Sequence, residues 1–217
     1  MAQFKDYFEG SSYSIILMEL LKGGGLFQYI SSNNYRLTEA KCRYFARQLL
    51  HAVKFMHDRR IIHLDLKPEN IVLSHSPLNS SSSDSTLKEN NTGSHNDHLY
   101  NERLKLIDFG IARDLGTRNR IPISTCGTLE FISPEVLRCT HASFASDMWS
   151  IGVIFFMMLS GGISPFWDGT ERGTEKAIAK RQFVRGFDHS NFRSISTQAI
   201  DCVSKLLTVE PSKSLKV

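Results

Sequence analysis

HLDLKPEN at residues 63–70 sets one acid, one amine and one amide within eight residues. Two runs that overlap its two ends, RIIHLDL and NIVL, predict two short strands around a polar loop. A third run, RLKLIDF, predicts another strand that leads to a second acid in LIDFG at 106–110. Carboxylate and amide oxygens suit Mg²⁺, a carboxylate can accept a proton, and a lysine can meet a phosphate. The pattern therefore predicts phosphate chemistry if these side chains converge.

The composition is that of one globular domain with a sizeable core. The chain has 217 residues, of which 41% are hydrophobic, and its formal charge is +4 without a block of five basic residues. That charge pattern argues against nucleic acid as a partner. Four scattered cysteines without a C-x-x-C pair favour a reducing compartment over a disulfide framework.

The sequence shows neither a secretory signal nor a membrane span. MAQFKDYFEG at the N-terminus carries acids and lacks an apolar stretch. The longest apolar run, IGVIFFMML at 151–159, is far shorter than the roughly 20 residues that a bilayer requires. We therefore expect a soluble intracellular protein, located in the cytoplasm or also in the nucleus.

Several segments predict the elements of the core. SYSIILMEL at 12–20 predicts a buried strand that ends at the glycine-rich linker KGGGLF. A helix is predicted after Thr38, residues 148–159 predict a central helix that is apolar nearly all round, and Ser196 is a predicted cap of a final helix. The predicted inner face of the first helix comprises Cys42, Phe45, Leu49, Ala52 and Met56. The predicted inner face of the last helix comprises Ala199, Val203, Leu206 and Leu207.

Residues 75–101 read as an insertion between two predicted strands. The segment is rich in Ser and Asn and cannot bury enough apolar surface to offset the entropy of ordering, so we predict a disordered surface loop. Its serines are candidates for phosphorylation, although a tolerated loop is the simpler interpretation. His75, His95 and His98 lack a rigid frame that would make them a metal site.

Three motifs in order resemble the protein-kinase signature: HLDLKPEN, then DFG at 108–110, then SPE at 133–135 within GTLEFISPE. DMWSIGV at 147–153 adds to the resemblance. The fold that it implies is mainly α with small β elements (α+β), a helical protein-kinase-like large lobe with a remnant of the small lobe. In domain terms, residues 1–17 would be the small-lobe remnant, 18–25 the hinge, and 26–217 the large lobe with its insertion.

The resemblance also implies roles for individual residues in a reaction that uses ATP and Mg²⁺. Asp65 matches the aspartate that accepts the substrate hydroxyl proton, and Lys67 would steady the γ-phosphate. Asn70 and Asp108 match the two magnesium ligands. D-L-K-P-E-N and Thr128 are similar to serine/threonine enzymes, so protein substrates that carry Ser or Thr are implied. Small-molecule phosphotransferases share the His-x-Asp pattern but lack the 108–135 segment.

MELLKGG at 18–24 is similar to the linker between kinase lobes. Backbone groups of Glu19 and Leu21 would then bind adenine, and Met18 would be the gatekeeper. Val72 and Ile107 would be apolar residues near the base. Ordinary core packing is the alternative interpretation of Met18.

Within the kinases, the resemblance is to the death-associated and myosin-light-chain kinases of the calmodulin-dependent group. It rests on HLDLKPEN, IDFGIAR, GTLEFISPE and DMWSIGVIFFMMLSGGISPFW, and it implies a role in apoptosis or cytoskeletal signalling. Calmodulin is an implied partner through a segment that these residues do not contain. Leu64 replaces the usual arginine that pairs with an activation-segment phosphate, so activity is predicted not to require that phosphate.

The sequence departs from the family pattern at several positions. The 217 residues contain neither a G-x-G-x-x-G loop nor a V-A-I-K strand lysine, which cradle the α- and β-phosphates. The alternative function is therefore a catalytically inactive kinase module that acts as a protein-interaction scaffold. Ser214 stands where relatives carry the arginine that pairs with the SPE glutamate, so Glu135 is predicted to lack that partner unless Lys213 or Lys216 substitutes.

Overall fold

The computed structural model describes residues 1–32, 37–74, 102–124 and 126–207. The predicted insertion at 75–101 lies outside the described residues, as do its three histidines. The described chain forms six helices of α type, six short strands and three single 3-10 turns, and most of its buried side chains belong to one helical core. The predicted class, mainly α with small β elements, is confirmed.

Strands β1 (Phe4–Glu9) and β2 (Ser14–Met18) form an antiparallel hairpin at the N-terminal end. Every residue of both strands is exposed. The prediction of a strand is correct, but the prediction that it is buried is wrong. A β-branched and aliphatic run favours extended backbone, whereas burial also requires a covering layer, and the described part of the chain provides none for this hairpin.

Helices α1 (Leu26–Ser32) and α2 (Glu39–Asp58) follow the hairpin. The Thr38 side chain accepts a hydrogen bond from the Lys41 N–H at 3.2 Å and so begins α2 as predicted. Four of the five predicted inward residues are fully buried, while Ala52 is half-buried and its neighbour Val53 takes the inner place. The amphipathic pattern thus located the helix and most of its inner face.

Two small antiparallel sheets frame the loop at 63–70. Strand β3 (Ile61–Ile62) pairs with β6 (Arg113–Asp114), and β4 (Ile71–Leu73) pairs with β5 (Leu104–Leu106). A 3-10 turn at Pro68–Asn70 connects the loop to β4. The predicted strands around the polar loop are therefore present. Beyond β4, the Ser74 N–H donates to the Arg103 carbonyl at 2.8 Å, which continues the pairing of the two chain segments next to β4 and β5.

Helix α4 (Phe144–Ser160) is the centre of the molecule, as its uniform apolarity predicts. Its residues from 146 onward are buried without exception. Ser143 and Ser146 form a capping box at its start, and Gly161 ends it in the left-handed conformation at φ 78°. A Cβ at Gly152 would lie 2.8 Å from Leu207, so glycine permits the close approach of the chain that follows α6.

Three further helices complete the lobe. They are α3 (Pro134–Leu137), α5 (Glu171–Lys180) and α6 (Thr197–Leu206). Ser196 caps α6 as predicted by accepting from the Ala199 N–H at 3.2 Å, and the inner residues Val203, Leu206 and Leu207 are buried. No helix in the described ranges has both the length and the apolarity to cross a bilayer.

Candidate active site

The Asp65 carboxylate lies at the centre of a compact polar cluster. One oxygen, Oδ1, accepts hydrogen bonds from the Thr128 N–H at 3.1 Å and the Thr128 hydroxyl at 3.0 Å. The other, Oδ2, lies 2.9 Å from Lys67 Nζ and 3.1 Å from Asn70 Nδ2. Two predicted side chains of the phosphate end, Lys67 and Asn70, together with Thr128, therefore converge on the half-buried carboxylate of a third, Asp65.

Lys67 and Thr128 join the loop to the activation segment that follows DFG. Lys67 Nζ donates to Thr128 Oγ1 at 2.8 Å, and the hydroxyl donates onward to Asp65. Next to Thr128, Gly127 has φ 91°, and a Cβ there would lie 2.6 Å from the Leu64 carbonyl. Glycine is thus required where the segment passes the catalytic loop.

Asn70 and Asp108 are brought together by backbone pairing. The Ile107 N–H donates to the Asn70 carbonyl at 3.0 Å, immediately before Asp108 in the chain. Asp108 has φ 60°, a left-handed conformation that is unusual for a residue other than glycine and that occurs at functional sites. This conformation and the Gly110 N–H, which donates to Asp108 Oδ1 at 3.2 Å, orient the exposed carboxylate.

The donor atoms at these two residues fit a hard cation. Asn70 uses its Nδ2 to donate to the Asp65 carbonyl at 2.9 Å and to the Asp65 carboxylate. Within the described ranges, Asn70 Oδ1 and Asp108 Oδ2 have no hydrogen-bond partner, so both oxygens are open to a ligand. Such oxygens are what Mg²⁺ prefers. The described residues contain no group of three or more His, Cys, Asp or Glu placed to hold a metal, so this site is one carboxylate and one amide.

Asp147 is a supporting residue that sequence reasoning did not single out. Its fully buried carboxylate accepts from the Leu64 N–H at 2.9 Å and from the His63 N–H at 3.0 Å. His57 Nε2 lies 2.8 Å from the same carboxylate. The signal was present in the sequence, because Asp147 is the only carboxylate in an otherwise apolar helix segment, DMWSIGVIFFMML.

His63 is a second supporting residue. Its Nδ1 accepts from the Asp65 N–H at 3.3 Å, so the ring proton lies on Nε2, which points at the Ile107 carbonyl at 3.1 Å. The ring also packs against Phe109 at a centroid distance of 4.9 Å. His63 thereby connects the residue before Asp108 to the backbone of Asp65.

Leu64 lies in a second, smaller apolar cluster beside the activation segment. It has φ 68° and is buried with Leu115, Ile132 and Val136, against which Ile121, Ile123 and Cys126 pack in part. An apolar contact therefore occupies the place where the resemblance would put an arginine. Burial also raises the pKa of the Cys126 thiol above its ordinary value.

The predicted hinge residues lie beside β4. The Gly23 N–H donates to the Leu73 carbonyl at 3.0 Å, and Gly25 forms a β-bridge to Val72. Val72, Ile107 and Leu21 are half-buried. In the described part of the chain, the Glu19 carbonyl and the Leu21 N–H have no backbone partner, so adenine binding there stays a prediction. Met18 is 51% exposed, which excludes core packing within these residues.

Glu135 has a partner that the sequence did not reveal. The buried carboxylate accepts from the Ser146 hydroxyl at 2.8 Å, within the first turn of α4. A capping serine thus supplies the carboxylate with a hydrogen bond, while the absence of the family's arginine partner stays a prediction. Ser214, Lys213 and Lys216 lie outside the described residues.

These arrangements form a candidate phosphate site, and comparison with known proteins assigns the family of the chain. A family model described as the protein kinase domain matches residues 1–216, so the chain belongs to the protein kinase family. Among curated proteins it is similar to myosin light chain kinase 3 of Mus musculus, at 38% identity over 212 residues. It is 39% identical over 204 residues to myosin light chain kinase 2 (skeletal/cardiac muscle) of the same species, and 37% over 207 residues to myosin light chain kinase 3 of Danio rerio.

The matches cover 98%, 94% and 95% of this chain but only 23%, 29% and 25% of those relatives, respectively. The chain thus spans about a quarter of their length. The assignment from the sequence to the serine/threonine kinases of the calmodulin-dependent group is confirmed.

Proposed function

We propose that this chain carries the large-lobe chemistry of a serine/threonine protein kinase that transfers the γ-phosphate of ATP to protein hydroxyls. The observation that supports this most directly is the convergence of Lys67, Asn70 and Thr128 on the Asp65 carboxylate, beside the backbone pair that holds Asp108. Phosphoryl transfer requires positioned polar and charged groups more than covalent chemistry, and this cluster holds an acid, an amine, an amide and a hydroxyl in place.

Each residue has a distinct part in the proposal. Asp65, whose N–H donates to His63 Nδ1 and whose preceding residues His63 and Leu64 are held by Asp147, would orient the substrate hydroxyl and accept its proton. Lys67 would neutralise charge on the terminal phosphate, and Thr128 would hold the carboxylate in register with it. Asn70 and Asp108 would hold Mg²⁺, which supplies charge neutralisation on the phosphate oxygens when bound.

The likeness to the myosin light chain kinases makes a protein the substrate, with myosin light chain as the first candidate to test. Calmodulin as a regulator, and a death-associated or cytoskeletal role, are further parts of this proposal. They are supported by resemblance and not by a contact in the described residues.

A phosphate-transfer assay with radiolabelled ATP tests the proposal. The purified chain is incubated with Mg²⁺ and myosin light chain, beside Asp65→Asn, Asp108→Ala and the matched surface control Asp58→Asn. We expect slow transfer, because the 217 residues contain neither the glycine-rich loop nor the strand lysine. Asp65→Asn should reduce it by about 10²-fold or more, and Asp58→Asn should leave it unchanged.

The alternative, a scaffold without turnover, is favoured by the same two missing motifs. It predicts that all four proteins behave alike, without transfer and without binding of Mg²⁺·ADP. Calorimetric titration with Mg²⁺·ADP therefore separates the two functions even where turnover is too slow to follow.

A further inference from the structure

A half-buried ion pair joins the predicted hinge to β5, the strand that precedes Asp108. Lys105 Nζ donates to both oxygens of the Glu19 carboxylate, at 2.6 and 2.7 Å. The Gln3 N–H donates to the same carboxylate at 2.6 Å. The side chains of Lys105 and Glu19 are only 29% and 19% exposed, respectively. Glu19 is therefore a half-buried carboxylate with both oxygens hydrogen-bonded.

The two residues of the pair belong to two different segments of the proposed nucleotide site. Glu19 directly follows β2 and belongs to the segment predicted to bind adenine, while Lys105 is the middle residue of β5. Two residues beyond Lys105 comes Ile107, and then Asp108. Backbone bonds reinforce the link, since the Glu19 N–H donates to the Gln3 carbonyl at 3.0 Å and the Ala2 N–H to the Leu106 carbonyl at 2.9 Å.

This ion pair differs from the other lysine–carboxylate pairs on the exposed surface. Lys54–Asp58 and Lys205–Asp201 each join residues four apart on one helix, with side chains more than half exposed. Pairs of that kind contribute little. Lys105–Glu19 joins residues 86 positions apart through two charge-assisted hydrogen bonds, so it constrains how two segments lie relative to each other.

The Glu19 carboxyl is ionised at neutral pH. The hydrogen bond from Lys105, followed by that from the Gln3 N–H, lowers the pKa of the Glu19 carboxyl below its ordinary value. Glu19 is therefore a carboxylate, and its attraction to Lys105 is present under the conditions in which a kinase works.

We infer that Glu19 and Lys105 form a positioning ion pair that fixes the separation between the adenine end and the metal end of the nucleotide site. The inference rests on the proposed function, because it takes the backbone at 19–21 as the adenine contact and Asp108 as a metal ligand. A ligand that occupies both ends gains affinity when their separation is fixed in advance. A ligand that occupies only the adenine end gains nothing from it.

Two ligands therefore separate positioning from general stabilisation. The full chain and its variants Glu19→Gln, Lys105→Met and the double variant are titrated calorimetrically with Mg²⁺·ADP and with adenosine. We expect each single variant to bind Mg²⁺·ADP about tenfold more weakly and adenosine within about twofold of the unaltered protein. The double variant should lose no more than either single variant, because the two side chains act as one pair.

The controls cover folding and nonspecific charge effects. Lys54→Met removes an exposed ion pair of the same chemistry far from the hinge and should leave both affinities unchanged. Lys105→Arg keeps a cation at the position and should retain most of the Mg²⁺·ADP affinity. Should Lys105→Met fail to fold, Lys105→Gln is compared with Lys105→Arg in its place, and circular dichroism checks each variant.

Equal losses for adenosine and Mg²⁺·ADP, or unchanged affinity for both, would overturn the inference while leaving the proposed function intact. Failure of the unaltered protein to bind either ligand would overturn the proposed function, and the inference with it. A loss confined to Mg²⁺·ADP and reversed in Lys105→Arg supports the inference.

Discussion

Removing the Asp147 carboxylate should destabilise both the fold and the catalytic loop. In Asp147→Ala, the buried N–H groups of His63 and Leu64 lose their acceptor, which lies at 3.0 and 2.9 Å in the native protein. Leaving a buried donor unpaired costs about 1–3 kcal/mol, so the two together amount to about 2–6 kcal/mol. Domains of this kind are stable by only about 5–15 kcal/mol, so the loss is a large fraction of the total.

The isosteric variant Asp147→Asn separates the hydrogen bonds from the charge. Its amide oxygen can still accept from the loop N–H groups, so we expect a loss of only about 1–2 kcal/mol. Ser160→Ala, which removes a buried hydroxyl at the other end of α4, is the control for polar substitutions in this helix.

Urea unfolding measured by circular dichroism gives the free energy of unfolding for each variant, and calorimetry gives the affinity for Mg²⁺·ADP. The expected order of stability is wild type, then Asp147→Asn, then Asp147→Ala, with nucleotide affinity following the same order. An Asp147→Ala protein that unfolds within about 1 kcal/mol of wild type would show that the loop does not depend on this carboxylate.

Three further predictions follow from the described contacts. Since Leu64 packs against the activation segment through apolar contacts, phosphorylating Ser124 should change the activity of the complete enzyme by less than about tenfold in a transfer assay; a larger gain would contradict this. Burial acts to raise the pKa of Glu102, but hydrogen bonds led by that from Lys41 outweigh it and hold the pKa below 4.5. The stability that this carboxylate contributes is therefore present above about pH 4.5 and is lost as the pH falls through the lowered pKa. Glu102→Gln should flatten the acid limb of a plot of melting temperature against pH. An unchanged acid limb would argue against the ion pair. Burial raises the pKa of the Cys42 thiol to about 12, so iodoacetamide at pH 8 should label exposed Cys139 well before Cys42, as read by mass spectrometry; equal labelling rates would refute it.

Local sequence patterns predicted the elements well where one physical cause dominates. Thr38 and Ser196 cap helices because their hydroxyls accept from backbone N–H groups two or three residues on, which is a local effect. Uniform apolarity placed α4 at the centre. The strand at 14–18 was found but its exposure was not, since burial depends on a covering layer that no local pattern encodes.

The proximity of the predicted loop residues could be read from the sequence, whereas the residues that support the loop could not. The spacing of Asp65, Lys67 and Asn70 follows from one loop, so their proximity could be read from sequence. The contacts of Asp147 with His63, and of Lys105 with Glu19, join residues 84 and 86 positions apart, respectively. Such pairs depend on the tertiary fold, and only the structure reveals them. The hydrogen bond from Ser146 to Glu135 was missed for a related reason, because it joins two separate helices, α4 and α3.

The open hairpin at the N-terminal end has a practical consequence for work with the isolated chain. Phe4, Phe8 and Ile16 are 60%, 52% and 61% exposed on a ribbon that comprises two strands among the residues the structure describes. Apolar side chains on strands with unpaired edges promote chain-to-chain pairing and precipitation. Production of these residues for biophysics will therefore benefit from a solubility-enhancing fusion at the N-terminus, low protein concentration and early light-scattering checks.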